Sequence, residues 1–144
     1  MHELYFGALG GNGGISGVGG SATTGDVDVV FTRSTIAIAD VVDGSPGILR
    51  VRAQANGGQG ATIGNATSRR ALLNLVDSTL TAASVYVESR AFANTISPGQ
   101  IGGTAVSQQS RLNLFGVSGI TAGLVEVNAN AASSQGGSST GGFV

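Results

Sequence analysis

Short strand-like phrases recur along this chain at a near-constant spacing, which confines it to folds that stack copies of one unit. The segment RALLNLVDSTLTAASVYVESRAFAN, residues 70–94, returns as SRLNLFGVSGITAGLVEVNANAAS at residues 110–133. GGSAT at 19–23 aligns with IGNAT at 63–67, an offset of 44, and the same offset carries Ser34-Thr35-Ile36 onto Ser78-Thr79-Leu80. Further on, Arg52-Ala53-Gln54-Ala55-Asn56 aligns with Arg90-Ala91-Phe92-Ala93-Asn94 at an offset of 38, which assigns six extra residues to the first copy around VVDGSP (41–46). Leu73-Asn74-Leu75 maps onto Leu112-Asn113-Leu114 at 39, and Ser78 onto Ser118 at 40. The chain is one domain, residues 1–144, with a partial repeat at 1–18 and three copies at 19–62, 63–101 and 102–142.

Inside each copy apolar residues alternate with polar or small ones, the period of a strand rather than a helix. Three strands are expected per copy. The first puts Val27, Val29 and Phe31 inward, then Ala71, Leu73 and Leu75, then Leu112 and Leu114. The second gives Ile36 and Ile38, Leu80 and Ala82, Ile120 and Ala122. The third gives Leu49, Val51, Ala53 and Ala55, then Val87, Ser89, Ala91 and Ala93, then Val127, Ala129 and Ala131. Glycine-rich runs such as GGQGATIG and SPGQIGG separate the copies. Their recurrence at one place per copy favours structured corners over flexible linkers.

These patterns predict an all-β fold: a parallel β-solenoid of three imperfect repeats of about 40 residues. Phe31, Leu75 and Leu114 would stack in one column, and Ala53, Ala91 and Ala129 or Ala131 in a narrower one. A β-sandwich of antiparallel strands would also alternate, but has no reason to repeat its sequence at a near-fixed period.

The pattern GGSATTGDVDV…STIAIA…LRVRAQANGGQG resembles the repeats of filamentous-haemagglutinin-type and autotransporter-passenger bacterial surface adhesins. That resemblance implies a right-handed parallel β-helix, an extracellular or cell-surface location, and a role in adhesion or matrix formation. The implied partners are neighbouring copies of the same repeat, in a homo-oligomer, and a host or matrix surface. Such proteins carry many more copies than the three seen here.

Composition removes several chemistries. There is no cysteine, so disulfides, thiolate metal sites and cysteine nucleophiles are out. There is no lysine, which a phosphate-binding P-loop requires. The single histidine, His2, lies at a chain end, where a loose residue is the ordinary reading. A net charge of −1 provides no footprint for nucleic acid, and no apolar run reaches the ~18 residues of a membrane-spanning helix. Asp26 and Asp28, two apart on one strand face, could share a cation, but pairing with Arg70 of the next copy is the simpler expectation. Asn65-Ala66-Thr67 is a glycosylation sequon of low specificity. The expectation is a non-enzymatic chain with no catalytic residue, metal or cofactor.

The outward faces carry what remains. Asn74 and Asn113 would form a short ladder, and Arg50, Glu88 and Asn128 a charged column. The second strands present Thr35 and Ala37, Thr79 and Thr81, then Gly119 and Thr121: a flat, uncharged face suited to lateral packing, to ice, or to plain solvent exposure. Tyr86 and Phe92 share one face and form the candidate aromatic contact for a glycan. The function expected is therefore a structural or adhesive repeat of an adhesin, matrix or filament; an ice- or glycan-binding solenoid is the alternative. His2–Gly14 resembles a third strand with its connector, placing Leu4, Phe6 and Ala8 at the positions of Val51, Ala53 and Ala55. Thr140–Val144 resembles the opening of a first strand, so an incomplete repeat stands at each end, and the expectation is either a piece of a longer array or end-to-end assembly.

Overall fold

The computed structural model describes residues 3–9, 17–39, 43–94, 99–134 and 136–144. His2 and most of the first glycine-rich connector lie outside them, as does a portion of VVDGSP. All described elements are strands: β1 (Glu3–Leu9), β2 (Ala22–Thr23), β3 (Val27–Thr32), β4 (Thr35–Ala37), β5 (Ile48–Asn56), β6 (Ala66–Val76), β7 (Thr79–Ala93), β8 (Thr104–Phe115), β9 (Gly119–Ser133) and β10 (Ser138–Thr140). They form two sheets. In one, β1, β5, β7 and β9 follow in order, with β4 beside β5 on the same edge of β7. In the other, β10, β8 and β6 follow in order, and β2 and β3 share the far edge of β6.

Every strand pair in both sheets is parallel, and each strand pairs with its counterpart in the next copy. The antiparallel ladders that a sandwich would need are not formed among these strands. The first strand of each copy registers as the repeat predicts: Phe31 lies beside Leu75 and Leu75 beside Leu114. The second strands do too, with Ile36 beside Leu80 and Leu80 beside Ile120.

Two expectations are corrected. In the second and third copies the second and third strands are one continuous strand, β7 and β9. Only the first copy breaks there, between β4 and β5, because its extra residues carry Gly44 in the left-handed region and Pro46, which interrupt pairing. The third-strand register is also shifted by two. Arg52, not Arg50, lies beside Glu88 and Asn128, and Ala53 lies beside Ser89 and Ala129, while Ala55 joins Ala91 and Ala131. Leu4, Phe6 and Ala8 likewise pair with Leu49, Val51 and Ala53. The offset drops from 44 to 36 across the first copy (Ile36 to Leu80, Ile48 to Ser84), so its insertion is eight residues, not six.

The inward residues of the two sheets meet in two apolar clusters. Leu49, Val51, Leu73, Leu75, Leu80, Val85 and Val87 fill the larger, and Ile63 with a set of alanines the smaller. Each fully buried leucine or valine contributes roughly 1.5–3 kcal/mol. Between the clusters lies a waist of buried serines. Ser68 Oγ donates to the Ala53 carbonyl at 2.8 Å, Ser89 Oγ to the Arg69 carbonyl at 2.7 Å, and Ser107 Oγ to the Ser89 carbonyl at 2.8 Å. Small hydroxyl side chains let the sheets approach closely enough to bond across the core, and each buried hydroxyl has its partner.

The corners are as repetitive as the strands. Arg33, Asp77 and Gly116 succeed one another at the turn after the first strand, all with positive φ (47°, 48° and 63°). Behind this turn Ser34 N donates to Ser78 Oγ and Ser78 N to Ser118 Oγ, each at 3.0 Å. At the opposite corner the backbone of Gly64 packs directly on the Gly20 carbonyl, leaving no room for a Cβ.

The third copy closes the stack incompletely. Leu75 and Val85 in the second copy are 0% exposed, whereas their counterparts Leu114 and Val125 are 48% and 44% exposed. On that side only β10, beside Thr104–Val106, and Phe143, bridged to Gln109, cover the third copy among the described residues.

Candidate functional site

The outward side chains of β4, β7 and β9 form the flat face in the expected order. Thr35 lies beside Thr79 and then Gly119, and Ala37 beside Thr81 and then Thr121. Thr35, Ala37, Thr79, Thr81 and Thr121 are exposed and Gly119 is half-exposed. The hydroxyl-bearing rows stand about 4.8 Å apart across the strands and about 6.6 Å apart along them, the spacings of any regular sheet.

Farther along the same sheet the surface becomes charged. Glu88, at an outward position of β7, is nevertheless fully buried, because arginines from two strands close over it. Arg52 of β5 donates to Glu88 Oε2 through Nε at 2.7 Å, with its Nη2 at 2.6 Å. Arg90, two positions along β7, donates to Oε1. Arg50 Nε stands 3.6 Å from Oε2, and its guanidinium lies 4.8 Å from the centre of the Tyr86 ring. The alternation of β7 puts Tyr86, Glu88, Arg90 and Phe92 on one outward row, so the two aromatics flank the cluster rather than touch each other.

Repeat alignment does not single out these arginines as a site. Their signal in the sequence is the pair of i, i+2 spacings, Arg50/Arg52 and Glu88/Arg90. The two-residue register shift hides that both β5 arginines reach one carboxylate.

On the other sheet Asp26 and Asp28 meet Arg70. Asp28 accepts a hydrogen bond from Arg70 Nε at 2.9 Å and pairs with its Nη2, while Asp26 Oδ2 is 3.6 Å from Nη2. Hydrogen bonding and charge from Asp28 raise the Arg70 pKa above its ordinary value. Across the copies, Asn113 Nδ2 donates to Asn74 Oδ1 at 2.8 Å, forming the asparagine ladder. Asn65 of the sequon is exposed, and its side-chain oxygen accepts from Thr104 N at 2.8 Å.

A groove of about 500 Å³ follows the glycine corner past Gly19, Gly64, Gly103 and Gly137, flanked by Val18, Ile63, Asn65 and Ile101, with no titratable group in its lining. A second, of about 480 Å³, lies beside Asp26, Arg70, Gln109 and Phe143. Among the described residues no three His, Asp or Glu side chains converge as a metal site would require. No described helix is long and apolar enough to cross a membrane. Comparison of the chain with family models, curated proteins and solved structures returns no match.

Proposed function

We propose that the chain is a right-handed parallel β-solenoid that serves as a structural, adhesive repeat domain outside the cell, in a bacterial surface adhesin, matrix or filament. Its work is to supply length and surface rather than catalysis, and its natural neighbours are further copies of the same repeat. The observation that supports this most is the third copy, whose inward Leu114 and Val125 stand half-exposed while their counterparts one copy earlier are sealed. Another parallel strand set in the same register would seal them. A second copy's β1 suits the third-strand stretch of that edge: it pairs with β5 in the ladder that continues through β7 to β9, so its Leu4 and Phe6 would fall beside Val125 and Val127.

Light scattering across a concentration series, with negative-stain microscopy, tests the assembly. End-to-end association that grows with concentration is expected. A monodisperse monomer at high concentration, from a gene with no further repeats, would contradict the proposal.

The exposed threonine rows in register favour a second reading, in which the flat face binds ice. Thermal hysteresis is then expected, and Thr79→Arg with Thr121→Arg should abolish it without unfolding the protein. No hysteresis in the parent chain removes this reading.

A further inference from the structure

The groove of about 480 Å³ beside β8 has no part in stacking the copies. Its lining includes Phe143, Gln108, Gln109, Thr140 and the Asp26–Arg70 pair. Phe143 is 81% exposed, and a lone apolar side chain on a surface is ordinary. This one belongs to a row: Phe143 lies beside Gln109, Gln109 beside Arg70, and the Arg70 backbone N–H donates to Asp26 Oδ1 at 3.3 Å. At the spacing of paired strands the four positions span about 14 Å across the copies. Among the described residues the side chains of Gln108, Gln109 and Thr140 have no hydrogen-bond partner. Arg70 is held on Asp28 through Nε at 2.9 Å and through Nη2, while the Asp26 side chain stays 43% exposed. A Cβ on Gly142 would stand 1.9 Å from the Gln108 carbonyl oxygen, so the segment that carries Phe143 lies flush against β8.

We propose that this groove binds a neutral oligosaccharide of hexopyranose units. Phe143 lies under the apolar face of one ring, and Gln109, Asp26 and Arg70 take the hydroxyls of the rings that follow. The inference names a ligand for the adhesive role proposed above and rests on that role, not on end-to-end assembly. An aromatic ring open to solvent matches the C–H face of a pyranose, which water solvates poorly. Sugar hydroxyls both donate and accept, and the row offers both functions: amides that do each, a carboxylate that accepts and a guanidinium that donates. One acid and one base in the lining give no net charge, so the groove favours a neutral chain over an anionic one. The length of the row suits several linked rings rather than one. Holding Arg70 on Asp28 beforehand lowers the ordering cost of binding.

The test is calorimetric titration of the full chain with cellohexaose and with a β-1,4-galactan hexamer as neutral probes. Hexagalacturonate and a proline-rich peptide serve as parallel ligands. Saturable binding of a neutral hexamer is expected, little changed by salt because no charge pair forms. Phe143→Ala and Gln109→Ala should each lower affinity about tenfold, since each removes one stacking or hydrogen-bonding contact. Phe115→Ala, at an exposed aromatic outside the groove, should not. The inference is overturned by no binding of either neutral probe, by equal or tighter binding of the uronate or the peptide, or by full affinity in both groove variants. Circular dichroism on each variant separates loss of the site from loss of the fold, and Gln109→Ala carries the test if Phe143→Ala does not fold. Light scattering without sugar reports assembly separately: a parent chain that associates but binds no sugar sinks this inference alone, and one that binds sugar as a monomer upholds it.

Discussion

Leu73 lies at the middle of the core, 0% exposed, beside Val29 in the copy before and Leu112 in the copy after. Leu73→Asp would bury a carboxylate with no partner, a cost of several kcal/mol against a stability of the same order, so the variant is expected to be unfolded by circular dichroism. Near-native stability would place Leu73 on the outside and shift the register by one. Glycines separate just as sharply. A Cβ on Gly64 would collide with the Gly20 backbone, whereas one on Gly25 meets nothing within 4 Å. Gly64→Ala is expected to cost about 2 kcal/mol or more, because backbone rather than a flexible side chain must yield. Gly25→Ala, which also reduces the freedom of the unfolded chain, is expected to be neutral or stabilising by up to about 1 kcal/mol. Denaturant titration of the two variants makes the comparison. At Glu88 the charge itself carries the contact: Glu88→Gln keeps the shape but leaves three guanidiniums facing a neutral amide. A loss of about 1–3 kcal/mol is expected, read from the same titration.

Among the elements, β7 and β9 show both the reach and the limit of reading the sequence. Alternation settles which β7 residues face inward: Val87, Ser89, Ala91 and Ala93 are all buried, as their period-2 pattern predicts. It cannot settle the partner of each, because sliding a strand by two residues leaves every side chain on its own face. The match between Arg52-Ala53 and Arg90-Ala91 is one such slide, and the true register puts Arg52 against Glu88. The threonine face escapes this error, since its alignment is anchored by Ser34 and Ser78 at the adjoining corner. The arginine cluster does not. The serine waist is illegible for a different reason: Ser68 and Ser107 look like ordinary polar positions until the opposite sheet provides carbonyls for them. Nor does composition announce that Arg33 and Asp77 adopt the left-handed conformation that Gly116 adopts at the same corner.

For the whole molecule, the end-to-end assembly proposed above turns on the exposed edge of the third copy. Val125 faces inward yet is 44% exposed, so Val125→Asp should leave the fold intact while preventing another strand from settling on β9. Light scattering should then show a monomer at concentrations where the parent chain associates. Association unchanged by this variant would place the contact elsewhere on the surface.

The cross-sheet serine bonds have a mechanical consequence. Tension applied along the stacking direction pulls directly on the ladder hydrogen bonds, which give way copy by copy. Shear between the two sheets meets another resistance, because Ser68, Ser89 and Ser107 rivet one wall to the other midway across the core. Replacing those hydroxyls with alanine would leave a body that still stretches as before but racks sideways under a lower force, a difference that pulling experiments in two geometries would resolve.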